Sequence, residues 1–227
     1  MRLDQNNFYA READRHVDSV RTSGQPGSFR ADDCLLGVIN RGRESGCTWG
    51  VEVDGAGVVH ADFRKGMYQA TFRSETDFFI AKPAQATTEQ HSRLVIKDGR
   101  PLEELLWKAA FHGSSGRLLE GCHLFDVVEL LRWPNFTRLP HATCCLPLCS
   151  LLAKRPSSIA FAHRMLRVPP ADAMRFYSAA RSAGYLRVIS AQPDANASSA
   201  MSETDEEESI NSFSGFWMRL FGRVVGL

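Results

Sequence analysis

Prolines divide the stretch from residue 146 to 189 into three short helices, and this punctuation constrains the fold more than any other feature of the chain. Residues 146–155 carry leucines on one helical face, and Pro156 ends that helix because proline cannot continue the hydrogen-bond ladder. Pro169 ends a second helix, since the residue before a proline is pushed out of helical geometry. A third helix can begin at Pro170, because proline is tolerated in the first turn.

The second and third helices each show a buried stripe at helical spacing. Ser157 or Ser158 can cap the second helix, and the third is expected to run from residue 170 to about 183, with Gly184 as a left-handed cap. Residues 185–189 then alternate apolar and polar side chains, which predicts a short strand. The side chains expected in the core are Ile159, Ala162, Met165 and Leu166 in the second helix and Ala173, Phe176, Tyr177 and Ala180 in the third.

Three short helices followed by a strand resemble the winged-helix and helix-turn-helix superfamily over residues 146–189. The resemblance is one of pattern, and it implies that the third helix is the recognition helix. DNA would then contact the side of that helix that points away from its stripe, where Asp172 and Ala179 also lie, together with the arginines around it. The implied DNA-binding residues are Arg164, Arg167, Arg175, Ser178, Ser182 and Arg187.

Two kinds of partner remain open for this module. Its basic residues stand out in a chain whose formal net charge is only +1, so the positive charge is localised. Phosphate binding needs several such cations on one surface, whereas cations spread along helices are usually a solvated face. Asp172 at the start of the third helix also repels phosphate. Because winged-helix modules also bind proteins, we favour a protein partner and keep DNA as the alternative.

The composition is that of a soluble globular chain, with 44% hydrophobic and 23% charged residues. The first 30 residues contain no apolar segment typical of a signal peptide. The longest apolar run, residues 142–153, is interrupted by Pro147 and is too short to span a bilayer. We therefore predict a cytoplasmic protein whose six cysteines are reduced and mostly buried.

The N-terminal half predicts an antiparallel sheet preceded by a flexible or loosely docked arm. Residues 1–31 are polar and have few side chains to bury. Residues 32–98 alternate β-branched or aromatic runs with turn signals, including glycine turns at 54–57 and 64–66. The predicted strands are 34–39, 48–53, 58–63, 67–73, 77–82 and 93–97, with 83–91 as a polar connector. The helical region is predicted to cover residues 99–190, with its first helices at 101–111 and 123–132.

The C-terminal residues combine a predicted linker with a predicted amphipathic helix. Residues 191–211 are rich in small polar and acidic side chains, which predicts a disordered linker. Residues 212–227 carry apolar side chains at helical spacing, which predicts a helix that docks on its own domain or on a partner. A membrane surface is disfavoured because the segment has few cations. The predicted partner-binding residues are Phe213, Phe216, Trp217, Leu220, Phe221 and Val224.

One group of residues has the chemistry to bind a metal. It consists of His141, Cys144, Cys145 and Cys149, side chains that ligate zinc in many proteins. Their spacing matches no closed ligand set, and the cysteines lie where the first helix of the module needs small apolar side chains. The sequence therefore favours buried thiols over a metal site.

Candidate catalytic groups also have structural explanations. The glycine-containing loops at 112–116 and 42–46 lack the residue order of a nucleophile elbow and of a phosphate loop. His60 and Asp62 are expected to share a solvated face of the sheet, because alternate residues of a strand point to the same side. We therefore predict that the protein is not an enzyme and uses no cofactor.

The sequence as a whole predicts an α+β fold, with an N-terminal antiparallel β-meander, a helical region containing a winged-helix-like module, and a tethered C-terminal amphipathic helix. The predicted function is that of a non-enzymatic cytoplasmic regulatory or adaptor protein, acting through protein contacts of the module and the C-terminal helix. The alternative is a DNA-binding transcriptional regulator that uses the helix at residues 170–183.

Overall fold

A five-stranded antiparallel sheet dominates the N-terminal half of the computed structural model, which describes residues 27–91 and 95–190. Its strand order is β4-β1-β2-β3-β5. The strands are β1 (Thr48–Val53), β2 (Gly57–Asp62), β3 (Met67–Phe72), β4 (Ala86–His91) and β5 (Arg100–Pro101). The predicted meander of β1, β2 and β3 is confirmed, and so are its two turns, where Gly55 and Gly66 adopt positive φ angles of 71° and 65°.

Two predicted strands are helices instead. Residues 34–39 belong largely to α1 (Leu35–Ser45), in which Leu35, Leu36, Val38, Ile39 and Gly42 are buried at helical spacing. Residues 77–82 overlap α2 (Glu75–Ile80), whose first turn is capped by Ser74, the side chain of which accepts a hydrogen bond from the Asp77 amide at 3.3 Å. In both segments the apolar run is too short to distinguish a strand from a helix. Packing against the helix at residues 102–114 fixes the helical form.

The segment predicted as a connector between residues 83 and 91 contains a strand. A short 3-10 turn at Pro83–Gln85 leads into β4, which pairs with β1 in antiparallel register from Ala86↔Val53 to His91↔Thr48. Polar residues fill β4 and are mostly exposed, because it is an edge strand with little to bury. Of the strand predicted at 93–97, the residues 95–97 are not in a strand.

Helix α3 (Leu102–Ser114) forms the centre of the core. Its predicted buried residues Leu102, Leu105, Leu106 and Ala109 are confirmed. Trp107, which is also fully buried, donates from Nε1 to the Pro140 carbonyl at 2.9 Å. Its indole ring makes edge contacts with Phe136, Phe176 and Tyr185 at centroid distances of 5.8, 6.1 and 5.7 Å.

A second, three-stranded antiparallel sheet has the order β7-β6-β8. Its strands are β6 (Val127–Leu130), β7 (Ser157–Ser158) and β8 (Leu186–Ser190). The strand predicted at 185–189 is thus confirmed, whereas the helix predicted at 123–132 is wrong. Val128 is fully buried between both neighbouring strands, so the pairing with β7 and β8 overrides the helical spacing of this stretch.

The three helices of residues 146–183 form where the prolines predict them. They are α4 (Cys145–Lys154), α5 (Ile159–Met165) and α6 (Pro170–Ser182). Ser158 caps α5 by accepting a hydrogen bond from the Phe161 amide at 3.2 Å, and Gly184 follows α6 with φ 72°. The predicted stripe of α6 is buried at all four positions, but Met165 on α5 is exposed rather than buried.

The predicted N-terminal arm is wrong at Phe29. This ring is fully buried, and its backbone forms a parallel bridge to Leu119, with the Phe29 amide donating to Leu118 and the Phe29 carbonyl accepting from Glu120. The buried ring and the two backbone hydrogen bonds together hold the chain in place at Phe29. The rest of the predicted arm up to residue 26, and the predicted linker and amphipathic helix at 191–227, lie outside the described residues.

The fold is mixed α+β, as predicted, and one hydrophobic core runs from Phe29 to Leu186. Within residues 27–91 and 95–190, no helix combines the length and the apolar composition that crossing a bilayer requires.

Candidate functional site

The expected recognition face of α6 is covered rather than free. Ser178 and Ala179 are fully buried, because α3 and the segment before Leu119 pack against the side of α6 that was predicted to point outward. The Ser178 hydroxyl accepts a hydrogen bond from the Leu119 amide at 3.0 Å and donates to the Arg117 carbonyl at 3.3 Å. Both bonds hold a neighbouring segment on the helix, so the predicted exposure of Ser178 is wrong.

Two other residues predicted on this face are also partly withdrawn from solvent. The Arg175 guanidinium lies 5.3 Å from the centroid of the Phe111 ring, and its Nε atom is buried without a hydrogen-bond partner among the described residues. The Ser182 hydroxyl is buried in the same way. Neither side chain is presented as a DNA-reading group needs to be.

The predicted arginines outside α6 are exposed. Arg164 is in α5, Arg167 lies in the turn after it with φ 55°, and Arg187 is in β8. Arg187 forms an ion pair with Glu129 on the neighbouring strand β6, which partly neutralises it. The structure therefore separates the six predicted residues, leaving Arg164 and Arg167 exposed and close in sequence on the α5 side.

Exposed apolar side chains concentrate in the same half of the protein. Seven of the nine large hydrophobic residues that are exposed in the described chain lie between residues 125 and 189. These are Phe125, Leu131, Trp133, Leu146, Phe161, Met165 and Ile189. Single exposed apolar residues need no explanation, but a contiguous group of them is typical of a binding surface.

Three of these residues lie around α5. Phe125, Phe161 and Met165 are 61%, 41% and 54% exposed. The Ala160 amide donates to the Leu124 carbonyl at 2.8 Å, which places the backbone of Phe125 beside that of Phe161. Ile159, Ala160 and Ala162 occupy the buried side of α5, and Phe161, Arg164 and Met165 face solvent on the other side.

Arg155 contacts both Phe161 and Met165 of α5. Its guanidinium carbon lies 5.4 Å from the Phe161 ring centroid, and its Nη2 donates to Met165 Sδ at 3.7 Å. A cation over an aromatic face is attracted by the ring quadrupole, so the pair holds Phe161 in place while both groups stay exposed. We call Phe125, Arg155, Phe161, Arg164, Met165 and Arg167 the α5 surface.

The charge on the α5 surface has one sign. Arg155, Arg164 and Arg167 are exposed, as is Lys154 at the end of α4, and none of them forms an ion pair with a carboxylate of the described chain. Burial lowers the pKa of the neighbouring His163, so this residue adds no charge at neutral pH. The surface is thus both apolar and cationic.

The cysteines of the group at residues 141–149 are buried thiols, which the sequence favours over a metal site. Cys144, Cys145 and Cys149 pack into the core, whereas His141 is exposed and its Nδ1 lies 2.9 Å from the Leu139 carbonyl oxygen. Burial raises the pKa of Cys145 and of Cys149 to about 12, which opposes the thiolate that a metal needs. Among residues 27–91 and 95–190, no group of three or more potential ligands could hold a metal ion.

The expectation that His60 and Asp62 share a solvated face of the sheet is wrong for Asp62. Asp62 is buried, and its Oδ1 accepts hydrogen bonds from the amides of Arg64 and Lys65, both at 3.1 Å, so it stabilises the turn after β2. His60 instead lies 5.2 Å, between ring centroids, from His91 on β4. Burial, followed by the neighbouring His91, lowers the pKa of His60.

A buried polar cluster beside β3 was not predicted from the sequence. Lys108 Nζ donates to Glu75 Oε2 at 2.7 Å, and Glu104 on the same helix is buried 3.6 Å from Arg138. The Tyr68 hydroxyl is buried, and burial, followed by the charge on Glu104, raises its pKa to about 12. These groups join α2, α3 and β3, a structural role that explains them.

Sequence reasoning missed the α5 surface for identifiable reasons. Phe125 fell in a segment predicted as helix, and Met165 was assigned to the core because its spacing matched the stripe. Phe161 was the available signal, since an aromatic residue opposite the buried stripe of a short helix cannot be part of the core.

Comparison with known proteins gives no relative: no family model, no curated protein and no solved structure matches the chain.

Proposed function

We propose that this protein is a non-enzymatic cytoplasmic regulatory or adaptor protein, and that its α5 surface binds an acidic segment of a partner protein. The observation that carries the proposal is the combination on the α5 surface of exposed Phe161 and Met165 with exposed arginines that have no carboxylate partner in the described chain. Aromatic, methionine and arginine side chains are the residues enriched in protein interfaces. Unpaired cations at the rim favour a negatively charged partner and speed its association.

The helical region serves, in this proposal, as a winged-helix-like module. Support comes from the element order α4-β7-α5-α6-β8, in which a short strand lies between the first and second helices and another strand follows the third. The middle strand of its small sheet is β6, which precedes the module in the chain. Because α6 packs against α3, the partner contacts the second helix of the module, α5, instead of the third helix, α6.

The predicted C-terminal amphipathic helix supplies the second contact. Its apolar residues Phe213, Phe216, Trp217, Leu220, Phe221 and Val224 recur at helical spacing, which is the pattern of a helix that docks into a groove. Deletion of residues 213–227 is expected to leave the unfolding transition of the remaining chain unchanged and to abolish co-purification of a partner that needs this contact.

DNA binding is the alternative, because the exposed and unpaired Arg164 and Arg167 also suit phosphate groups. The burial of Ser178 and the position of Arg175 over Phe111 weigh against base recognition by α6. Only non-specific contact with the DNA backbone fits the remaining arginines.

Affinity purification with matched variants tests the proposal. We expect the double variant Phe161→Ser and Met165→Ser to lose a protein that the wild type enriches, and the control Ile80→Ser, which changes an exposed apolar residue elsewhere, to retain it. A carbodiimide, which joins lysines to carboxylates without a spacer, should link Lys154 to an acidic residue of that protein. Equal recovery with all three proteins would refute the α5 surface as the site.

Retention on duplex DNA distinguishes the alternative. If the wild type binds duplex DNA with a steep salt dependence and the double variant Arg164→Glu and Arg167→Glu does not, DNA replaces an acidic protein as the partner. The control is Arg41→Glu, which reverses the charge of an exposed arginine outside the α5 surface.

A further inference from the structure

A polar cleft lies between α1, the C-terminal end of α6 and the turn at residues 119–122, which contacts both helices. Its volume is about 340 Å³, which is at the lower end of the range for small-molecule sites. Leu36, Asn40 and Arg43 form one wall, because their spacing places them on the same face of α1. Arg181 and Ser182 form the other wall, and the segment 119–122 closes the cleft between them.

The turn at the floor of the cleft is fixed by backbone contacts. The Glu120 amide donates to Phe29, the Cys122 amide donates to Leu119 at 3.0 Å, and Gly121 adopts φ 79° between them. A positive φ favours glycine, so the turn is a built feature rather than a chance indentation. Leu36 and Leu119 give the cleft an apolar side.

The charged groups of the cleft are predominantly cationic. Arg43 and Arg181 are exposed and form no ion pair with any carboxylate of the described residues. The single acid of the lining, Glu120, lies 3.5 Å from Arg30, which partly neutralises it. The C-terminal end of the α6 dipole repels an anion, but this repulsion is weaker than the attraction that two guanidinium groups supply.

An unsatisfied donor adds to these two cations. Ser182 lines the cleft, and its hydroxyl, which is buried with no hydrogen-bond partner within the described chain, reaches a ligand there when its side chain rotates about χ1. A buried polar group without a partner is costly unless a ligand or water satisfies it. Asn40 offers an amide donor on the facing wall.

We propose that this cleft binds a small molecule through an oxyanion group, a phosphate or a carboxylate, held between Arg43 and Arg181. The Asn40 amide donates to the same group, as does the Ser182 hydroxyl once its side chain rotates toward the cleft, and Leu36 and Leu119 contact the apolar part of the ligand. Guanidinium groups recognise both anions by paired hydrogen bonds, so the two chemistries share one site. The site is independent of partner binding at the α5 surface.

Calorimetric titration of the full chain with pyrophosphate and, separately, with citrate tests the site and distinguishes the two anions. We expect one of them to bind the wild type in the millimolar range or tighter. Arg43→Gln and Arg181→Gln should each weaken that binding about tenfold or more, because a hydrogen bond to a charged group contributes about 1.5–3 kcal/mol. Ser182→Ala should weaken it by a smaller factor.

The matched control is Arg41→Gln. Arg41 is an exposed arginine on α1, as Arg43 is, but it pairs with Asp32 at 3.2 Å and does not line the cleft. This variant should bind the probe as the wild type does. If neither pyrophosphate nor citrate binds, or if Arg41→Gln loses as much binding as the two cleft variants, the proposal is overturned. Circular dichroism checks that each variant is folded, and if one arginine variant unfolds, the other decides the question alone.

Discussion

The ion pair between Glu75 and Lys108 predicts a strongly asymmetric response to mutation. The Lys108 side chain is 2% exposed, whereas that of Glu75 is 38% exposed, and their charged atoms are 2.7 Å apart. Glu75 is the hydrogen-bond partner of Lys108 in the described chain, and the other acid on α3, Glu104, contacts Arg138 instead. Removal of the carboxylate therefore leaves a buried ammonium group without a partner, but removal of the ammonium leaves a carboxylate that water can reach.

The expected magnitudes follow from this difference in burial. At 2.7 Å and an effective dielectric constant of about 20, the attraction is about 6 kcal/mol before desolvation is subtracted. Breaking a buried pair by removing one partner costs about 3–5 kcal/mol, and the partial exposure of Glu75 places Glu75→Ala near the lower end. Lys108→Met replaces the ammonium with an apolar group of similar length, so its free energy of unfolding should stay within about 1 kcal/mol of the wild type.

Urea unfolding of the wild type, the two single variants and the double variant measures these differences. We expect Glu75→Ala to lower the free energy of unfolding by about 3 kcal/mol, and Lys108→Met added to it to restore most of that loss. Asp77→Ala, which removes an exposed acid from the same helix, is the control. If Lys108→Met destabilises as much as Glu75→Ala, or if the double variant is no more stable than Glu75→Ala, the asymmetric burial of the pair does not govern its energetics.

Two further predictions concern the pH dependence of stability and a helix cap. Burial lowers the pKa of His112, whose ring stacks on that of Phe79 at 5.8 Å, so the unfolded chain takes up a proton near the ordinary pKa of 6.5 before the folded one does. The free energy of unfolding should therefore fall as the pH drops below about 6.5, and His112→Gln should reduce that slope without abolishing it, because His60 and His163 are shifted in the same direction. A slope unchanged in His112→Gln would exclude this histidine as a cause. Ser158→Ala should lower the free energy of unfolding by about 1 kcal/mol in a urea titration, since it removes the cap of α5, and Ser158→Asp should restore most of the loss. Identical midpoints for Ser158→Ala and the wild type would show that the cap contributes nothing.

Local signals in the sequence predicted those parts of the fold whose shape is decided locally. Pro156 follows the end of α4, Ser158 caps the start of α5 and Pro170 begins α6, because the effects of these residues on the backbone are local. The segments that became β4 and β6 could not be assigned in this way. An edge strand of polar residues has no alternation to detect, and the helical spacing around Val128 is overridden by the strands on both sides of it.

The sequence could not predict which face of α6 is buried, because this depends on packing against α3, which is remote in sequence. The side of α6 opposite its predicted stripe carries small residues, Ser178 and Ala179, which looked like a solvated face. Helix α3 also presents small buried residues, Ala109 and Ala110, and small side chains let two helices approach closely. That packing buries most of α6, whereas Phe161, Arg164 and Met165 of α5 are exposed.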